Sequence, residues 1–352
     1  MAKTSFLPRL VNGQTGDPAL FVDLLREKRA LLFDCGNLTP LSPSEILRIS
    51  DVFVSHAHID HFIGFDHLLR LHLGRGKRVR VFGPPGITGC VRGKLSGYTW
   101  NLVRHQRLVY EVHEWSPNGI RVTEFVCRRR FAAGAARDRK NGEYLWQDDH
   151  IRVRTAPLDH RIPSLAFAVS ERDFLNVDPV KVSELSLTPG AWLNDLKRRV
   201  RAGDPTPLLI DGRQFEVADL ARRLLHTTPG RTIAYAADAL GNEANLAAIA
   251  ELARGADWLF CEGAFLEEDR ERANETYHLT AAQAGRAARL AGARRLMVFH
   301  FSPKYEGRFS QLEEEAAREH GRMASADEDD EREGPRSGEA HSPARENSSG
   351  NS

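Results

Sequence analysis

A dense set of metal-binding side chains sits in one short run, Ser55-His56-Ala57-His58-Ile59-Asp60-His61. Neutral imidazole and carboxylate suit zinc and similar divalent cations. Three histidines and one aspartate within six positions therefore point to metal-dependent chemistry. In an extended or tightly turned loop, His56 and His58 project to the same side and can chelate one ion. Asp60 and His61, adjacent at the start of a helix, can turn towards a second.

The elements on either side would hold such a loop. An apolar strand, Val52-Phe53-Val54, precedes it, and Phe62, Phe65, Leu69 and Leu73 follow at helical spacing. Similar short runs rich in β-branched and aromatic residues recur at Ala30–Phe33, Val79–Phe82, Val109–Val112, Ile151–Val153, Leu165–Val169, Thr232–Ala236, Trp258–Phe260 and Leu296–Phe299. Helical patterns cover Asn242–Arg254, Thr280–Leu290 and Ser310–Glu319. Strands joined both by hairpins and by helices imply an α/β sandwich with mixed sheets. Arg128–Asp149 reads as a loop or hairpin insertion, and Glu171–Gly230, with five prolines, as irregular.

Composition narrows the class further. The 352 residues carry 49 basic and 48 acidic side chains. From Gly321 onward eight acidic residues face four arginines, so this segment is −4 and the first 320 residues are +5. The mildly basic body permits a polyanionic partner. The segment 321–352, without an apolar period, is expected to be a disordered acidic tail behind one folded domain of residues 1–320. No stretch approaches the ~20 apolar residues of a membrane span. The first residues lack a secretory core, and four scattered cysteines suggest buried free thiols. A cytoplasmic protein without a membrane partner is the expectation.

The run His56–His61 resembles the signature of the metallo-β-lactamase superfamily, and the likeness continues in that family's order. Leu31-Leu32-Phe33-Asp34-Cys35-Gly36 is similar to the strand before the signature. Pro157-Leu158-Asp159-His160, Tyr235-Ala236-Ala237-Asp238 and Val298-Phe299-His300 are similar to the later ligand motifs. The resemblance implies an αββα sandwich. It also implies two divalent ions, zinc foremost, one held by His56, His58, His160 and Asp238, the other by Asp60, His61, Asp238 and His300. Such ions lie ~3.5–4 Å apart and share a water deprotonated near neutrality.

Within the superfamily the chain resembles ribonuclease Z, which trims the 3′ trailer of precursor transfer RNA. Leu158-Asp159-His160 and Tyr277-His278-Leu279-Thr280 carry this likeness. So does Phe174–Asp204, similar to a protruding arm that grips the transfer RNA body. The sequence departs from the family at Ala166-Phe167, Leu279, Gly190-Ala191 and Lys304. The implied reaction is phosphodiester hydrolysis by the metal-bound hydroxide, with Asp60 orienting it and His278 giving a proton to the leaving oxygen. A homodimer is implied too. Glu262 is a candidate partner of His278. Asp159 either pairs with His160 or caps a turn. Lys304, and Lys197, Arg198 and Arg199 on the arm, either contact phosphate or are solvated. The alternative activity is hydrolysis of a small phosphodiester, thioester or lactone on the same fold.

Overall fold

Eight strands of the amino-terminal half pair in sequence order in the computed structural model, which describes residues 6–25 and 27–322. They are β1 (Phe6–Leu10), β2 (Leu20–Leu24), β3 (Arg29–Phe33), β4 (Ile49–Phe53), β5 (Arg78–Gly83), β6 (Val109–Ser116), β7 (Gly119–Val126) and β8 (Arg137–Arg139). Strands β3 to β6 run parallel, with antiparallel neighbours on both sides. Next come β9 (Trp146–Gln147), β10 (Ile151–Asp159) and β11 (Pro163–Glu171). Four short strands follow, β12 (Phe174–Val177), β13 (Leu208–Ile210), β14 (Arg213–Phe215) and β15 (Leu225–Thr228). The last are β16 (Thr232–Ala236), β17 (Trp258–Glu262) and β18 (Leu296–Phe299). The second sheet has the order β18-β17-β16-β11-β10-β9 and is also mixed.

The period of two along a strand decides what lies between the sheets. Phe33, Phe53 and Phe82 from the first sheet meet Phe167, Tyr235 and Phe299 from the second in a fully buried aromatic layer. Their neighbours Leu32, Val52 and Val81 face the other way, onto the helices Phe65–His72 and Ile87–Ser96. The outer face of the second sheet is covered by Glu243–Leu252, Ala281–Ala291 and Phe309–Gly321. The result is the expected αββα sandwich. A Phe-to-Ala change in the aromatic layer would cost about 3–5 kcal/mol through lost transfer energy and the cavity left behind.

Two expectations need correction. The single helix expected after Asp60 is two, Ile59–Phe62 and Phe65–His72. The break falls at Gly64, where a Cβ would lie 2.0 Å from the Gly36 carbonyl oxygen. Residues 171–230 are not irregular either. Beyond the expected arm 174–204 the inserted elements continue to Thr228. β12 pairs with β15, β13 with β14, and three helices pack on them. Val182, Leu196, Leu208, Ile210, Leu220 and Leu224 form a separate core there. Prolines mark helix starts and turns in this insertion rather than an absence of structure; Pro179 is the first residue of a helix capped by Asp178.

The expected tail lies outside the described residues from position 323 onward. No described helix is long and apolar enough to cross a membrane. All four cysteines are free; Cys35, Cys127 and Cys261 are buried and Cys90 is half-buried.

Candidate metal centre

One edge of the sandwich gathers the strand ends that matter. β4 runs into the His56–His61 loop, β10 ends before His160, β16 before Asp238, β17 at Glu262 and β18 before His300. The sheets are tied at this edge by a bond from the Leu165 amide to the Ser55 carbonyl, 2.9 Å.

The loop after β4 is shaped from beneath by Asp34. This fully buried carboxylate accepts the Ser55 amide at 2.6 Å and the Ser55 hydroxyl at 2.8 Å. It also accepts the Tyr235 hydroxyl and His61 Nδ1, both at 2.8 Å. A metal-ligating histidine is usually held through its second nitrogen in this way. Asp34 adopts φ +53, a left-handed conformation uncommon outside glycine. Gly36 makes room above it: a Cβ there would lie 2.6 Å from the Asp60 carbonyl oxygen. His300 (φ +65) and Tyr277 (φ +61) share the left-handed conformation. Such residues concentrate at functional sites because the surroundings must over-determine them.

Two donor groups result from the residues singled out in the sequence as ligands. His56, His58, His160 and Asp238 each place a ligand atom within 4.8 Å of the others, and so do Asp60, His61 and His300; Asp238 and His300 also converge with His278. Asp238 stands between them. Its Oδ2 is 3.9 Å from His56 Nε2 and 3.7 Å from His160 Nε2. Its Oδ1 is 3.3 Å from His61 Nε2 and 3.5 Å from His300 Nε2. Asp60 Oδ2 lies 3.4 Å from His61 Nε2 and 3.9 Å from His300 Nε2. His56 Nε2, His61 Nε2 and Asp238 Oδ1 are buried without a hydrogen-bond partner. Buried polar atoms of this kind are costly unless satisfied, and cations held by the two groups would satisfy all three. The donor set therefore fits divalent ions of the zinc type.

The charges of His56 and His58 agree with that. Burial, followed by the neighbouring His61, pulls the His56 imidazole down to about 2, and burial also lowers His58. Both are then neutral, as a ligand must be. Burial alone would raise the Asp238 carboxyl, but His300 and His61 hold it well below the usual carboxylate range. Burial pulls on His61 as well, and is outweighed by Asp238 and Asp34, which raise it.

His278 sits at the rim of the same centre. Its Nδ1 lies 2.8 Å from Glu262 Oε2 and 3.8 Å from Asp238 Oδ2. Glu262 is fully buried, and its Oε1 accepts the amides of Ala239 (2.6 Å) and Leu279 (3.2 Å). Leu279, a departure from the family motif, thus contributes a backbone donor while its side chain fills the core. Burial lowers the His278 pKa, and the Glu262 carboxylate overrides it and lifts the imidazole to about 9.

The other residues singled out in the sequence stand differently. His160 Nδ1 donates to the Tyr277 carbonyl at 2.8 Å, so Asp159 is not its partner; the Asp159 carboxylate instead accepts the Arg161 amide and caps the turn. Lys304 borders the centre, but its ammonium is paired with Asp269. Arg199 is mostly buried and binds Asp195 and the carbonyls of Thr206 and Pro207, which braces the arm. Arg198 is exposed and also paired with Asp195, while Lys197 is half-buried. Asp34, Ser55 and Tyr235 received no role from the sequence. A lone acid after four apolar strand residues, Ala30 to Phe33, was the signal for Asp34.

Layering and donor set together define a hydrolase of the metallo-β-lactamase superfamily, and a β-lactamase superfamily domain model matches residues 202–301. More narrowly, the chain belongs to the ribonuclease Z family. It is 33% identical over 307 residues to the ribonuclease Z of Deinococcus radiodurans, an alignment covering 85% of this chain and 91% of that one. Against the ribonuclease Z of Anoxybacillus flavithermus it is 32% identical over 314 residues, 85% of each chain. The crystal structure of the short form of human tRNase Z shares the fold, with a TM-score of 0.50, 20% identity, and 85% and 93% of the two chains covered.

Proposed function

We propose that this chain is the endoribonuclease that removes the 3′ trailer from precursor transfer RNA, using His278 as proton donor and Asp238 as the shared ligand of two zinc ions. The observation that carries the reading is the placement of His278, fixed by Glu262, beside a carboxylate reached by four histidines. Family membership supports the substrate. Divalent cations in such a site supply the charge that makes water nucleophilic at neutral pH and that neutralises phosphate oxygens.

The chain's own residues do the rest. Asp34 and the Tyr277 carbonyl orient His61 and His160, so the ligand atoms converge before substrate arrives. Asp60, at the first turn of its helix, is placed to accept a proton from the attacking water. As the water oxygen forms its bond to phosphorus, the bond to the ribose 3′ oxygen breaks and its electron pair stays on that oxygen. His278 then delivers a proton from Nε2, since Nδ1 is committed to Glu262. The products are a 3′-hydroxyl on the transfer RNA and a 5′-phosphate on the trailer. Incubating zinc-loaded protein with end-labelled precursor transfer RNA tests this. One cut at the trailer junction with those termini is expected; a 2′,3′-cyclic phosphate would contradict the role given to water.

Glu262→Gln removes the main cause that raises His278. The imidazole then loses its proton at lower pH, so the basic limb of the kcat profile is expected to move to lower pH. An unmoved limb would separate Glu262 from the proton donor.

The arm supports a second test. Converting Lys197 and Arg198 together to alanine is expected to raise KM for precursor transfer RNA and to reduce the salt slope of binding by about two, one for each lost phosphate contact. Turnover of a small chromogenic phosphodiester should not change. Arg199→Ala is expected to loosen the arm instead, read as protease sensitivity within residues 174–228.

A further inference from the structure

We propose that the cleft between the helix Arg270–Thr276 and the turn Phe301–Lys304 holds the nucleotide on the 5′ side of the cut, with Arg272 and Lys304 taking the phosphate at that nucleotide's own 5′ end. This rests on the ribonuclease reading above and extends it to the substrate's direction across the site.

The cleft has a volume of about 710 Å³, within the range of ligand pockets, and His278 and His300 form part of its wall. In phosphoryl transfer the attacking and leaving oxygens are roughly in line. The nucleophile arises between the two donor groups around Asp238, so the departing 3′ oxygen lies on the opposite side of phosphorus, at His278. The ribose carrying that oxygen must then extend beyond His278, and the cleft is the space there.

Its lining suits a nucleotide. The ring of Phe265 lies 6.1 Å from that of His278 and provides an apolar wall for ribose or base. The Thr276 hydroxyl donates to the Arg272 carbonyl at 2.9 Å, which leaves its lone pairs to accept from a ribose hydroxyl. Arg272 pairs with Glu275 at 2.9 Å, both side chains well exposed, and Lys304 pairs with Asp269. The Arg272 pair is exposed and therefore weak, and the Lys304 head is exposed although its partner Asp269 is half-buried and also accepts the Tyr305 hydroxyl; both cations can turn to a stronger partner. A phosphate is such a partner, and the planar guanidinium matches it with two parallel bonds.

The test uses the full chain loaded with zinc and three precursor transfer RNAs. One is unmodified. One carries a neutral methylphosphonate in place of the phosphate 5′ to the last retained nucleotide, and one carries it two nucleotides into the trailer. For the wild-type chain, the upstream change is expected to lower kcat/KM about tenfold, the scale of one charge-assisted contact, and the trailer change to do little. Arg272→Ala should lose about tenfold on unmodified RNA and lose little more on the upstream-modified one. Its turnover of a small phosphodiester should equal wild type. Losses that multiply on the upstream-modified RNA, or an unaffected Arg272→Ala, would overturn the assignment; equal loss on the small substrate would do the same. Failure of the wild-type chain to cut unmodified RNA would instead overturn the ribonuclease reading, and the subsite with it.

Discussion

Asp238→Ala is expected to lower hydrolysis of precursor transfer RNA at least ~10³-fold and to remove both metal ions together. The two donor groups share this residue alone: Oδ2 faces His56 and His160, and Oδ1 faces His61 and His300. Its removal takes away the only carboxylate of the first group and leaves buried imidazoles facing one another. A bound cation contributes several kcal/mol to water activation and to charge neutralisation, and each ~1.4 kcal/mol is a factor of ten, which sets the scale. Zinc content after equilibrium dialysis provides a readout apart from turnover. Loss of one ion with the other retained would show that Asp238 serves one group only. The metal-free variant should still fold, because the aromatic layer between the sheets does not depend on this side chain.

His278→Ala is expected to cut kcat ~10²–10⁴-fold while zinc content and KM stay near the wild-type values, the range for a lost general acid. The side chain converges with Asp238 and His300 but belongs to neither of the two larger histidine sets, and its Nδ1 is fixed by a fully buried Glu262. A substrate whose leaving group needs no proton discriminates the role. A 3′-thio substitution at the scissile bond, which departs as a thiolate, should restore most of the loss. If the thio substrate suffers as much as the oxygen one, His278 positions the substrate rather than protonating it.

Much of this site was legible along the chain because its donors are local or sit at strand ends. His56, His58, Asp60 and His61 lie within six positions, and their strand-to-helix context follows from hydrophobic periodicity alone. The nine apolar runs read as strands all fall on strands of the two sheets, with Val54 one residue past the end of β4. What periodicity reports is which face of a segment is apolar, so β1, β2 and β7, each with charged or polar residues among apolar ones, escaped it. The insertion 174–228 escaped for a related reason. Its core of aliphatic residues is drawn from elements separated by prolines, which hid the helical period that Trp192–Ala202 and Val217–Leu224 do carry.

The tertiary structure alone decided which side chains are spent. Lys304, Arg198 and Arg199 look alike in sequence, yet Arg199 is mostly buried and braced by Asp195 and two carbonyls, whereas the paired heads of Lys304 and Arg198 stay exposed. Asp159 looks like the partner of its neighbour His160, but the turn claims its carboxylate and the Tyr277 carbonyl, 117 positions away, takes the imidazole. Asp34 reaches His61 and Tyr235 in the same way, across 27 and 201 positions. Such bonds form between residues that folding brings together, and local pattern carries no record of them. Residue type and spacing determined that metal ions could bind, and the family resemblance supplied the reaction they would serve. Packing of the two sheets determined that one aspartate stands between both groups, and that His278 lines a cleft beside them.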